Sequence, residues 1–509
     1  MKSSLEQIDV FFNPRSVAVV GASRNASKAG HVIFKNFVEN KRRGTFRGEL
    51  YPINPNEESI LSYKCYPSLT HVIDPIDTVV VVIPAELVPK VMREAAVKKV
   101  KAVVIISAGF GEVGNTALER EVKEIAGSAG IRLLGPNCLG VYDSRTGVDM
   151  LFLPETKVLQ SGNEVVATPR PMPGNMAVVS QSGAFGVAAL DYLTGREEGI
   201  SKFISFGNKA DVNEPEVLAY LDRDDSTRVI LLYAEGIASG REFFQVAKEV
   251  TKRKPIIALK AGRTSSGARA AASHTGALSG TDSVYEAAFA QAGIIRARDM
   301  DDFFHIGKAF SSQPPAQGDG VAILTDAGGP GVMAADECEL RGVSVRRLSE
   351  ETVQRFEELK AQQVIPRFAS VLNPVDLTGS VSSDMFELAT RILLEDRMIH
   401  ALIVITLHHV PTLREDFVDR IAAVSRGFTK PVVACDIGET EMAMYVRSRF
   451  DKQGIPSYTS PEDAARSMAA LVKYGLYLKK HGCYEDYLAR FKADHVRVLD
   501  GAFGQPTRA

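Results

Sequence analysis

Apolar runs rich in Val and Ile recur along the chain, and each ends in a cluster of Gly, Ser, Asn or Pro. The first is Ser16-Val17-Ala18-Val19-Val20, and others follow at 50–54, 78–83, 102–106 and 131–134. They are apolar at nearly every position rather than alternating, the pattern of parallel strands covered on both faces. Helical spacing fills the gaps, as in Val32, Ile33, Phe34 and Phe37. Strand and helix in alternation predict an open, doubly wound α/β sheet, whose ligands bind at the carboxyl ends of the strands.

The design restarts twice. Residues 154–174, with Pro169, Pro171 and Pro173, read as an irregular linker. Beyond it an apolar strand enters Ser180-Gln181-Ser182-Gly183-Ala184 and an Ala-rich helix, and further strands are expected at 203–206, 228–233 and 256–259. A second linker is expected at 311–320. Past it, Leu324-Thr325-Asp326-Ala327-Gly328 and the eight residues that follow align without a gap on Val179-Ser180-Gln181-Ser182-Gly183 and its continuation, an internal duplication. Runs at 401–406 and 431–435 complete the last α/β unit. The expected domains are 8–150, 174–312 and 319–475. A tail, 476–509, is expected to be helical to about Lys492 and loose beyond it.

Composition narrows the function classes. At 509 residues the chain is too long for one core. A net charge of −2 argues against nucleic acid as the main partner. Five scattered cysteines without a CxxC pair give no metal framework and suit a reducing compartment. No apolar stretch reaches the roughly 20 residues of a membrane span, and the N-terminus lacks the apolar core of a signal peptide. A cytoplasmic protein with no membrane partner is expected.

Candidate chemistry sits at the strand ends. Gly21-Ala22-Ser23-Arg24 between a strand and a helix places backbone N–H groups at a positive helix end, a ready anion site. It is not GxGxxG, since Ser23 stands where the second glycine would be. Asn54 occupies the place of the usual ribose-binding carboxylate, which disfavours NAD. Ile83-Pro84, Ser107-Ala108-Gly109-Phe110 and Asn137-Cys138 end later strands of the same edge. The turn Ser180–Ala184 can cradle a phosphoryl group, or be a tight turn with a Ser N-cap. Glu235 ends a strand, where it can hold an imidazole or simply face solvent. His274, within Ser273-His274-Thr275-Gly276, is either a phosphoryl-accepting nucleophile in a small-residue loop or a hydrogen-bonded structural histidine. His408 and His409, adjacent in an extended stretch, are expected to point apart.

The strand-end set Gly21-Ala22-Ser23, Asn54-Pro55, Ile83-Pro84, Ser107-Ala108-Gly109-Phe110 and Gly135-Pro136-Asn137-Cys138 resembles the CoA-binding domain of the NDP-forming acyl-CoA synthetases. Ser273-His274-Thr275-Gly276-Ala277, with Ser182-Gly183 and Glu235, resembles that family's phosphohistidine domain. The loop Asn373-Pro374-Val375-Asp376 resembles its third domain. The resemblance implies a Rossmann-like CoA-binding domain followed by two flavodoxin-like domains. It also implies that His274 is transiently phosphorylated with Glu235 as its partner. Ser180, Gln181, Ser182, Gly183, Ala184, Ser273, Thr275 and Gly276 would surround the phosphoryl group, and CoA would be a substrate. No stretch is left for an ATP-grasp module, so ADP or ATP with Mg2+ is expected on a separate β subunit in an α2β2 assembly. The third domain, lacking its own histidine, is expected to supply a second anion-binding helix end. The alternative is a CoA-binding sensor or scaffold with vestigial ligase machinery; an NAD(P)-linked oxidoreductase is disfavoured by Ser23 and Asn54.

Overall fold

The computed structural model describes residues 2–275 and 281–499, with side chains described outside 2–5, 271–275 and 494–499. It parts into two compact units, Met1–Arg296 and Ala297–Ala509.

The first unit opens with strands β1 (Ser16–Val20) and β2 (Glu49–Ile53), the small hairpin β3 (Ser59–Ile60) and β4 (Tyr63–Lys64), then β5 (Thr78–Val81), β6 (Ala102–Ile105) and β7 (Arg132–Leu134). Their sheet has the order β2-β1-β5-β6-β7 and is parallel throughout. Strands β1, β5 and β6 are buried at every residue, as uniformly apolar runs demand. The order reverses between β1 and β5, which opens a crevice beyond Val20 and Val81.

The chain crosses to a second sheet at β8 (Gly140–Asp143), ten residues before 150. It continues through β9 (Val148–Asp149), the ribbon β10 (Thr156–Val158) and β11 (Glu164–Val166), β12 (Pro173–Ser180), β13 (Ile200–Ser205), β14 (Val229–Ala234), β15 (Ile256–Lys260) and β16 (Ile295–Ala297). The sheet order is β16-β15-β14-β12-β13-β8-β9, with β8 antiparallel to β13. The stretch expected to be an irregular linker therefore holds a two-stranded ribbon. Its turn uses Gly162 at φ +85°; Pro154 precedes the ribbon, and Pro169, Pro171 and Pro173 follow its second strand.

Both sheets of this unit share one apolar cluster, from Phe11, Val17 and Phe34 through Ile204, Phe206 and Ile230 to Phe289. Polar ties reinforce it. Arg132 on β7 donates to Asp211 (2.9 Å) and Glu216 (2.8 Å), while the amides of Asn208, Ala210 and Val212 donate to the carbonyls of Pro136, Gly135 and Leu133.

The second unit holds β17 (Gly320–Thr325), β18 (Ser344–Val345), β19 (Val375–Asp376), β20 (Ala401–Thr406), β21 (Val432–Asp436) and β22 (Ser457–Tyr458). Its sheet runs β18-β17-β20-β21-β22, with β19 also paired to β17. The helix Tyr484–Leu499 continues past Lys492, where the tail was expected to loosen. Ser311 and Ser312 close the helix Met300–Ser312 rather than opening a linker. No helix among the described residues is long and apolar enough to cross a membrane.

Candidate active site

At the first switch point, Gly21 turns with φ +95°, and a Cβ there would lie 2.3 Å from the Val82 carbonyl oxygen. Glycine is therefore required by both conformation and space. The following helix, Ala29–Arg42, comes so close that a Cβ on Gly30 would lie 2.0 Å from the Gly21 oxygen. Asn54 donates from Nδ2 to the Ala22 carbonyl (2.8 Å) and accepts the Asn56 amide (2.9 Å). Its role in this structure is to brace the turn. Ser23 accepts the Asn25 amide, and Arg24 donates to the Ser59 carbonyl and pairs with Glu57 at 2.8 Å. The Ser107 hydroxyl accepts the Ile83 amide (3.1 Å), linking two strand ends. Pro84 precedes the short 3-10 turn Ala85–Leu87.

Gly109, with φ +111°, and Phe110 aim their amides at Glu112 Oε1 (2.5 and 3.1 Å), and the Gly111 amide donates to Glu119 (3.0 Å). Asn208 donates to both carboxylates, at 2.6 and 2.8 Å. Burial acts to raise the Glu112 pKa, but the hydrogen bonds from Asn208, Gly109 and Phe110 outweigh it and hold the carboxyl below its ordinary range. The amides of this strand end thus grip carboxylates of the chain itself. Cys138 is buried, with Sγ 3.3 Å from the Ile105 carbonyl, and burial pushes its thiol up to about 12. That thiol is packing, not a nucleophile.

At the second switch point, between β12 and β14, Ser182 caps the helix Gly183–Gly195 by accepting the Phe185 amide (3.3 Å). The expected Ser N-cap is present; it takes one of the first amides, and the macrodipole remains at the helix start. The buried Ser180 hydroxyl closes the turn on the Ser182 carbonyl (2.7 Å) and does not line the cavity described below. Gln181 Oε1 accepts the amides of Glu235 (2.9 Å) and Gly236 (3.1 Å). Glu235 is 7% exposed, so it is not a solvated strand-end carboxylate. The Tyr233 hydroxyl donates to it (3.3 Å), and burial followed by the Glu235 charge raises the Tyr233 pKa. The Tyr233 ring stacks on Phe185, centroids 4.1 Å apart.

A cavity of about 750 Å3 joins these elements. Ser107, Ala108, Asn137 and Cys138 line it from the first sheet, and Gln181, Ser182, Gly183, Ala184 and Glu235 from the second. Gly21, Ala22, Ser23, Arg24, Asn54, Ile83, Pro84, Gly109 and Phe110 are not among its lining residues; Ala29 and Val82 are. Asn208 and Lys209, at the carboxyl end of β13 and not among the expected site residues, also line it. Ser273, His274 and Thr275 end the helix Ser265–Thr275, which packs near the turn Gly111–Val113. Their side chains, and Gly276 entirely, lie outside the described residues.

Residues 15–144 match the family described as CoA binding domain, 173–310 the succinyl-CoA ligase like flavodoxin domain, and 321–475 the Ligase-CoA domain. The acetate–CoA ligase [ADP-forming] II subunit alpha of Pyrococcus furiosus is 40% identical over 481 residues, which cover 92% of this chain and 97% of that protein. The chain belongs to the NDP-forming acyl-CoA synthetase family. These enzymes are ligases that form carbon–sulfur bonds. The acetate–CoA ligase [ADP-forming] of Methanocaldococcus jannaschii is 37% identical over 96% of this chain, which spans 66% of that longer protein. A solved dinucleotide-forming acetyl-coenzyme A synthetase 1 from Ca. Korarchaeum cryptofilum, in complex with phosphate and ADP, superposes with a TM-score of 0.83 at 36% identity. The match covers 93% of this chain and 98% of that one.

The second unit of this synthetase repeats the cradle with altered charge. Thr325 Oγ1 donates to the Ala327 carbonyl (3.0 Å) as Ser180 does to Ser182, and the helix Gly328–Leu340 follows. Asp326 stands where Gln181 does, accepting the Leu407 amide at the next strand end (3.1 Å). The Asp376 carboxylate lies 2.8 Å from where a Cβ on Gly328 would be. Carboxyl groups thus stand at this helix start, where the first copy has the Gln181 amide. His408 and His409 do not point apart, because they leave the strand after Thr406. Their rings lie 3.9 Å apart, and His408 Nδ1 meets Asp436 at 2.6 Å.

Asp326 is 4% exposed, and burial, with Asp436 and Asp376 adding charge repulsion, lifts its pKa from 3.8 to about 7. A folded-state pKa raised this far contributes stability at low pH that is lost as pH rises from 3.8 through 7, about 4 kcal/mol in all. Asp326→Asn keeps the acceptor oxygen and removes the charge. Urea unfolding of the second unit should find the variant and the parent alike near pH 4 and the variant increasingly more stable toward pH 8. A gap that does not widen with pH would contradict the assignment.

Proposed function

We propose that this chain is the α subunit of an ADP-forming acyl-CoA synthetase, interconverting acyl-CoA, ADP and phosphate with carboxylic acid, CoA and ATP through a phosphohistidine at His274. The observation that carries the reading is the shared cavity, which brings strand ends of the CoA-type sheet to the Ser182–Gly183 helix start and to Glu235. The Gly21 turn, which has no room for a side chain, suits the close approach of backbone to a CoA phosphate. ADP with Mg2+ is assigned to a separate ATP-grasp β subunit, in keeping with the name subunit alpha carried by the Pyrococcus relative. An α2β2 assembly in the cytoplasm is part of the same proposal.

The chemistry divides into balanced steps. A phosphate oxygen attacks the thioester carbonyl, the carbon–sulfur bond breaks, and CoA leaves as the thiol with one proton, giving an acyl phosphate. An imidazole nitrogen of His274 then attacks phosphorus, and the carboxylate leaves. The helix start at Gly183 and Ala184 faces the charge that develops on the phosphoryl oxygens, while Glu235 accepts the other imidazole N–H and steadies the ring. The phosphoryl group finally passes to ADP on the partner.

Mixing the chain with an ATP-grasp partner subunit, an acyl-CoA such as acetyl-CoA, phosphate and ADP should yield ATP. CoA binding by the assembled complex with no ATP formed from a panel of acyl-CoAs would favour the sensor reading instead.

A further inference from the structure

Glu235 follows the last residue of β14, so strand pairing does not hold it. Side chains from three other segments do. Gln181 accepts the amides of Glu235 and Gly236, the Tyr285 hydroxyl accepts the Ile237 amide (3.2 Å), and Lys209 Nζ donates to the Gly236 carbonyl (2.7 Å). Lys209 is also paired with Glu214 at 2.7 Å, whose side chain is almost wholly buried. Its neighbour Asn208 reaches the opposite way, to Glu112 and Glu119, the carboxylates gripped by the strand end 109–111 of the first sheet. The turn carrying both is pressed on that sheet: a Cβ on Gly207 would lie 2.2 Å from the Pro136 oxygen, and the Asn208 amide donates to the same oxygen (2.9 Å). Lys209 itself adopts φ +57°, a left-handed conformation that is strained for a non-glycine residue. Its side chain is thereby held against the Gly236 carbonyl while Asn208 faces the first sheet.

We infer that Asn208 and Lys209 are a pair of positioning residues that lock the Glu235 loop of the second sheet to the Gly109–Gly111 strand end of the first. Their effect on catalysis rests on the reading of Glu235 as the partner of His274. Neither residue needs to touch the phosphoryl group. Lys209 sets where the Glu235 backbone lies, and Asn208 sets where the first sheet's loop lies relative to it.

Two readouts separate this inference from the reading beneath it. Lys209→Met should speed hydrogen exchange at the Gly236 and Ile237 amides at least tenfold more than in β14; no such difference at those amides would overturn the inference whatever the chemistry. In the complex with the partner subunit, the same variant should lower kcat at least tenfold while KM for CoA stays within twofold, and Lys209→Arg should recover most of the loss. Because Lys209→Met strands a buried carboxylate, Lys209→Met with Glu214→Gln is the companion variant. A persistent tenfold loss there supports the tether, and a return to the native rate overturns it. An unaltered chain that never becomes phosphorylated would strike the phosphohistidine reading, leaving the exchange result to decide the inference.

Discussion

His274→Ala is expected to abolish ATP formation from acyl-CoA, phosphate and ADP, with a loss on the order of 10^6-fold, the scale seen when a covalent nucleophile is removed. CoA affinity should stay within twofold, because the proposed CoA site is the first sheet's turn and strand ends. Among the described residues, the thiol and the amine on the cavity wall are both engaged elsewhere. The Cys138 thiol is buried and pushed up to about 12, and Lys209 is committed to Glu214 and the Gly236 carbonyl. Steady-state ATP formation alongside calorimetric titration with CoA checks both halves. Activity retained within a hundredfold would mean that the phosphoryl group takes another route.

The second large effect is expected at Gly30. Alanine gains up to about 1 kcal/mol over glycine in a helix, and no more than that at Gly30, which stands in the first turn of its helix. At Gly30 the new Cβ would meet backbone, 2.0 Å from the Gly21 oxygen and 2.7 Å from its carbonyl carbon, so neither a rotamer change nor a side-chain shift relieves it. Overpacking of this kind costs about 3 kcal/mol, which outweighs the propensity gain. Gly30→Ala should therefore destabilise the first unit by about 2 kcal/mol net and weaken CoA binding at least tenfold, since the displaced atoms are the Gly21 turn itself. Gly127, inside the helix Thr116–Ala129 with nothing within 4 Å of its ideal Cβ, is the control. Gly127→Ala should stabilise by up to about 1 kcal/mol. Equal effects at the two glycines, measured by urea unfolding, would show that the turn is not the constraint.

The parts of the fold legible from sequence share one physical origin. An apolar run ending in glycine and followed by a helical period can be read locally, which located β1, β12 and β17 and the duplicated turn. The duplication extends to a hydrogen bond, since Ser180 and Thr325 each donate to the carbonyl two residues on. The alignment puts Asp326 on Gln181, but a local pattern does not report the burial that raises the Asp326 pKa. The crossing at Gly140 was also hidden, because β8 is identified by its pairing with β13 rather than by its own four residues.

The site was less legible than the fold for the same reason. Glu235 was found as a polar residue at the end of an apolar strand, but its loop is held by Gln181, 54 residues from Glu235, by Lys209, 27 from Gly236, and by Tyr285, 48 from Ile237. Lys209 carried one usable signal, the turn Gly207-Asn208-Lys209 at a strand's carboxyl end. Asn54 and Cys138 also sit at strand ends: Asn54 braces the Gly21 turn, and Cys138 packs against the Ile105 carbonyl while lining the cavity.

The most direct test is the position and chemistry of the phosphoryl group. The unaltered chain, incubated with its partner subunit and γ-labelled ATP, should take up acid-labile, base-stable label in the peptide that contains His274, and should release it on adding a carboxylic acid and CoA. Label confined to the partner subunit, or acid-stable label on this chain, would contradict a phosphohistidine at that position.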